Sequence, residues 1–208
     1  MGAMRAPTRL RYQLKYAGMP AGEETLTLEK KGEGYRMRLV ADVALPLPKT
    51  RQEWESVMDE RGIPLRYVER VEGRGTRVLD LEFLRDEGVV VGKDLVLPYV
   101  VDYHDPLSLI LKLGRSEEAT LTLPMVGGRV HATRLPDTEL AFPWGQVPVK
   151  VYRLRPGVSY VYYDREGRPV KFVQKLGQHL FEAVLLEAFE GETESERRPG
   201  RKRRRRKR

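Results

Sequence analysis

The chain has 208 residues, of which 33% are charged, with three His, no Asn and no Cys. That excludes disulfides and cysteine-ligated zinc, while the length lets one domain bury roughly 70% of its unfolded surface without either. The formal net charge of +8 misleads as a whole, because ten of the twelve residues in 197–208 are basic and none is acidic. Taking those 10 from 38 leaves 28 basic against 30 acidic residues, a body of about −2.

Residues 9–16 alternate, with Leu10, Tyr12, Leu14 and Tyr16 on one face and Arg9, Arg11, Gln13 and Lys15 on the other, which predicts a strand. A turn is expected over 18–22, a return strand over 25–29 with Leu26 and Leu28 inward, and a third strand with Tyr35, Met37 and Leu39 inward. Pro46 and Pro48 end that run. Residues 53–59 read as extended, with a short helix capped by Thr50 and Glu53 as the alternative. Strands at 63–71, 77–83, 89–91 and 95–101 follow, separated by glycine-bearing turns.

One short helix is predicted over 105–113. Asp105 is a good N-cap, Pro106 suits the first helical position, and Leu107, Ile110 and Leu111 form an apolar stripe before Gly114. Strands are expected again at 120–125, 129–135 and 140–144. Residues 147–189 then form four strands whose breaks carry Arg155-Pro156-Gly157, Gly167 with Pro169, and Gly177. The fold class is therefore mainly β, an antiparallel meander rolled into a β-roll or half-barrel, since a flat sheet this large would leave an apolar face uncovered.

The domain organisation is a single β-roll over 9–189, an acidic linker over 190–196 with no apolar side chain after Glu190, and a basic tail over 197–208. No stretch approaches the ~20 apolar residues of a membrane-spanning helix, and residues 1–7 hold no signal-peptide core. Read as written, the chain is expected in the cytoplasm. Export is the alternative, with Gly2-Ala3-Met4 standing in place of a removed signal peptide. Few thermolabile residues beside many Arg and Glu is a thermophile's composition.

Several short segments carry a family resemblance. They are Tyr16-Ala17-Gly18-Met19-Pro20-Ala21-Gly22, Gly34-Tyr35, Glu55-Ser56 before Gly62-Ile63-Pro64, Asp105-Pro106-Leu107-Ser108, and the run from Tyr163-Asp164-Arg165-Glu166-Gly167 to Arg168-Pro169-Val170-Lys171. Over roughly residues 10–188 the chain resembles a bacterial family of β-rich proteins of unknown function, mostly exported, with a β-roll or half-barrel fold. The resemblance implies a fold and supplies no catalytic residue.

No catalytic signature is present. The Gly32-Glu33-Gly34 and Gly73-Arg74-Gly75 segments lack the third glycine of a dinucleotide loop, and no Ser occupies a nucleophile elbow. Asp102, His104 and Asp105 form the best local cluster, able in principle to orient a base or hold a metal. Asp105 already serves as a helix cap, however, so His104 reads as a surface residue before it. His131 and His179 read as sheet-surface residues. Tyr152, Tyr160, Tyr162 and Tyr163 lie among Lys150, Arg153 and Arg155, a composition that stacks nucleobases when exposed. Alternation sends at least half of these tyrosines inward.

The strongest functional signal is the tail. Arg197, Arg198, Arg201, Lys202, Arg203, Arg204, Arg205, Arg206, Lys207 and Arg208 repel one another and require a polyanion, and guanidinium groups favour phosphate and exposed bases. The sequence thus predicts a non-enzymatic binding protein, without cofactor or metal, whose tail contacts nucleic acid, RNA in preference to DNA and ribosomal RNA among the targets. The alternative is a carrier or scaffold holding an apolar or envelope ligand in the roll, with the tail on anionic lipid.

Overall fold

The computed structural model describes residues 3–44 and 47–191. The chain opens with three long strands, β1 (Thr8–Tyr16), β2 (Met19–Lys31) and β3 (Gly34–Val43), followed by β4 (Thr50–Met58), β5 (Pro64–Glu72) and β6 (Thr76–Leu84). Two short strands, β7 (Val89–Gly92) and β8 (Leu95–Pro98), precede the helix α1 (Pro106–Arg115). The second half comprises β9 (Thr120–Met125), β10 (Gly128–Phe142), β11 (Gly145–Arg155), β12 (Ser159–Tyr163), β13 (Pro169–Leu176) and β14 (His179–Glu190).

All fourteen strands form one sheet in the order β8-β7-β6-β5-β4-β3-β2-β1-β14-β13-β12-β11-β10-β9. Every neighbouring pair is antiparallel. The two meanders anticipated at the ends of the chain are therefore joined through β1 and β14, which pair in the middle of the sheet. The sheet does not close: β8 and β9 are its edges. The segment 99–105 spans that gap, with the His104 amide donating to the Pro124 carbonyl at 2.8 Å.

Alternation decides which face is inside. Leu10, Tyr12, Leu14, Leu26, Leu28, Met37 and Leu39 are buried from β1, β2 and β3, and on the other half Tyr152, Val161, Tyr163 and Ala183 turn the same way. Helix α1 packs into this concave face: Leu107, Leu109, Ile110, Leu111 and Leu113 belong to the same core as the strand residues. A smaller cluster of Tyr67, Leu81, Phe83 and Val90 lies under β5–β8, covered by Tyr99 and Tyr103 of the spanning segment.

Three sequence expectations are corrected. The turn expected over 18–22 is confined to Ala17-Gly18, and β2 starts at Met19. Gly22 marks a close approach instead: a Cβ there would lie 2.0 Å from the Asp42 carbonyl oxygen of β3, and its φ of +138° favours glycine. Pro136 does not divide two strands, because β10 runs on to Phe142 with a register shift between Leu135 and Thr138, a bulge that absorbs the missing N–H. The core extends beyond the anticipated 9–189, since Met4 is buried before β1 and Glu190, assigned to the linker, is the last residue of β14. The strand reading of 53–59 holds, with β4 starting at Thr50.

Candidate functional site

The cluster of Asp102, His104 and Asp105 is split by the backbone. Asp102 faces the surface, where it accepts from Tyr99 at 2.7 Å and pairs with Arg61 and Arg85. His104 and Asp105 turn inward and are buried, which corrects the surface reading of His104. No group of three His, Asp or Glu side chains gathers at metal-binding distance among the described residues.

Asp105 caps α1 as expected. Its Oδ1 accepts from the amides of Leu107 and Ser108, both at 2.8 Å, and the Ser108 hydroxyl accepts from the Asp105 amide at 2.9 Å, completing a capping box. Its Oδ2 takes the Ser56 hydroxyl from β4 at 2.5 Å, which ties the helix start to the sheet. Burial pushes the Asp105 carboxyl up to about 6, against those hydrogen bonds. His104 Nδ1 lies 3.1 Å from Ser108 Oγ, and burial, with Lys112 nearby, lowers its basicity. Ser, His and Asp thus meet here, but wired unlike a nucleophilic triad: the carboxylate serves serines and amides, and the imidazole is not oriented by it. Ser56 and Ser108 are both fully buried, so the network is a helix anchor.

The other end of α1 is held equally firmly. Lys150, named in the sequence among the cations that flank the tyrosines, is fully buried, and its Nζ donates to the carbonyls of Ser116 at 2.6 Å and Gly114 at 3.1 Å. Glu117 Oε1 stands 3.5 Å away. Tyr152 donates to the Glu118 carbonyl at 2.8 Å and Tyr163 to that of Ile110 at 2.9 Å. Burial lowers the Lys150 ammonium's affinity for its proton, and Glu117 opposes that. Lys150 therefore satisfies carbonyls that the helix end leaves open, while Tyr152 and Tyr163 brace the chain on either side of it. One further buried group escapes sequence reading: Glu24, inward on β2 between Tyr12 and Ala41, is 8% exposed and has no hydrogen-bond or ion-pair partner among the described residues. Burial pushes its carboxyl up to about 7.

The tyrosines divide as alternation requires. Tyr152 and Tyr163 are core, with rings 6.4 Å apart, while Tyr160 and Tyr162 stand on the outer face, half-buried. His131 and His179 are exposed, as expected, with Thr122 and Tyr16 respectively as neighbours. The outer face of β3–β6 is laced with ion pairs, including Arg38–Glu53 at 3.1 Å, Arg51–Asp42 at 3.0 Å and Arg66–Asp80 at 2.6 Å. Two open surface grooves flank the end of β14: one of about 650 Å³ beside Arg9, Arg38 and Phe189, the other of about 570 Å³ beside Trp144, Arg165 and Glu187. The ten tail residues from Arg197 to Arg208 lie outside the described residues.

The model of a family described as a protein of unknown function (DUF3108) matches residues 11–175. The chain belongs to that family. Its fold is also that of a solved DUF1849 protein from Brucella abortus, described as β-barrel-like, with a TM-score of 0.64 over 92% of this chain and 100% of that one. At 15% identity this likeness is one of fold alone. No curated protein matches the sequence. The resemblance drawn from the turn segments thus holds at the level of family and architecture: the described residues of this DUF3108 chain form a β-rich domain with one short helix and an unclosed antiparallel meander. No helix among the described residues is long and apolar enough to cross a membrane.

Proposed function

We propose that this DUF3108 chain is a non-enzymatic binding protein, in which a self-filled β-roll carries the cationic segment 197–208 to nucleic acid, RNA in preference to DNA. The observation that carries the reading is the separation of charge: ten cations without an acidic residue in that segment, and a body of about −2 whose outer face over β3–β6 is laced with ion pairs. Such a segment gains affinity by releasing counterions from phosphate, and its guanidinium groups add bidentate contacts. The filling of the concave face by α1, anchored at both ends, supports this reading over a carrier of apolar ligands, which needs that volume. The test is the ultraviolet absorbance of the purified protein before and after a high-salt wash. A nucleic-acid contribution that the wash removes is the expected result; its absence before the wash counts against the proposal.

A further inference from the structure

The outer face of the second half of the sheet differs in kind from that of the first. With Lys150, Tyr152 and Tyr163 pointing to α1, the alternate positions of the same strands face outward. In register across β11, β12 and β13 these are Arg153, Tyr160 and Val173, and, one step along, Val151, Tyr162 and Lys171; the two valines are buried beneath their neighbours, and the two tyrosines and Arg153 are half-buried. Arg155 stands opposite His131 on β10, and by the same parity Arg129 and Lys175 extend the row. The outward strand positions within 120–135 and 149–175 carry no Asp or Glu. Lys171 is paired with Glu182 of β14 at 2.7 Å, but Arg129, Arg153, Arg155 and Lys175 make no ion pair among the described residues. The Nε of Arg153 is buried without a hydrogen-bond partner among them.

We infer that this face is a second nucleic-acid contact, specific for single strands: bases stack on Tyr160 and Tyr162 while Arg153, Arg155 and their neighbours take the phosphates. Aromatic rings on a sheet that also carries unpaired cations provide both halves of single-strand recognition, and stacking tolerates any base because every base has a π-face. A duplex hides its base faces and gains only the phosphate contacts. The inference rests on the nucleic-acid reading above and adds a substrate class to it. A strand long enough to touch both contacts is held at two points, and the second contact becomes intramolecular.

The test uses the full chain, a labelled oligouridine and a labelled RNA duplex, with affinity read by fluorescence anisotropy over a salt series. Tyr160→Ala with Tyr162→Ala is expected to weaken single-strand binding about tenfold or more, to leave duplex binding and the salt slope unchanged, and to be rescued by Phe at both positions. Should the alanine pair disturb folding, Arg153→Gln with Arg155→Gln, on the rim of the same face, is expected to reduce the magnitude of the single-strand salt slope by about 1.4, at ~0.7 for each phosphate no longer neutralised. If both pairs of changes leave single-strand binding as it was, while replacing the tail cations by Gln abolishes it, the face is not a contact and the tail reading survives. If the unmodified chain binds neither probe, both fail.

Discussion

Lys150 Nζ lies 2.6 Å from the carbonyl oxygen of Ser116, inside the roll, so the open carbonyls at the end of α1 are received by an ammonium from the opposite wall of the sheet. The interaction joins two parts of the chain 34 residues apart and places a cation at the negative end of the helix dipole. Together with Ser56 and Asp105 at the other end, it fixes α1 as the filling of the roll.

Lys150→Met keeps the length of the stem and removes the donor. The buried Gly114 carbonyl then loses its side-chain donor, while Ser116 keeps Tyr152 and Glu117 keeps Arg134, and the fold should lose about 1–3 kcal/mol, the usual cost of an unsatisfied buried polar group. Denaturant unfolding measures it. An unchanged or higher midpoint would mean that the ammonium is a burden on the helix end.

Gly114→Ala should also destabilise, against helix propensity, which favours Ala by about 1 kcal/mol. A Cβ at this position would lie 2.5 Å from the Gly167 carbonyl oxygen and 3.2 Å from the Tyr163 ring, so the helix must move off the β12–β13 turn. The expected net loss is about 1–2 kcal/mol, within the range for overpacking a filled core. A gain in melting temperature would show that α1 is loosely held.

Glu24 supplies a pH dependence. The folded chain holds this proton more tightly than an unfolded chain, whose carboxyl titrates near 4.5, so stability is lost as pH rises from about 4.5 to about 7. Some 2.5 units at ~1.4 kcal/mol each amount to roughly 3 kcal/mol by neutral pH. Glu24→Gln should therefore raise the melting temperature by several degrees near pH 8 and by little near pH 5. A gain of equal size at both pH values would mean that the side chain is not charged within the roll at neutral pH.

These buried polar groups mark where the sequence ceases to be legible. The strands announce themselves through period-two patterns such as Leu10, Tyr12 and Leu14, and the helix through Asp105-Pro106, because those signals are local. Lys150 sits in Val149-Lys150-Val151-Tyr152, where a lysine reads as the outward residue of a strand; its burial depends on the distant end of α1. Glu24 follows Gly22-Glu23, a composition that suggests a turn, and only the pairing with β3 shows that Gly22 makes room for a neighbouring backbone and Glu24 points inward. His104 reads as a surface residue for the same reason, since the Pro124 carbonyl that holds its backbone inward belongs to the other half of the sheet. The split of the tyrosines, by contrast, follows from parity alone.

Salt dependence is the sharpest measure of whether residues 197–208 supply most of the affinity for nucleic acid. Ten cations that neutralise six to ten phosphates should give log K falling with log salt at a slope of about −4 to −7 on single-stranded RNA, and replacing the tail cations by Gln should remove nearly all affinity at physiological salt. A neutralised chain that binds as tightly as the original, with the same slope, would mean that the tail does not supply it.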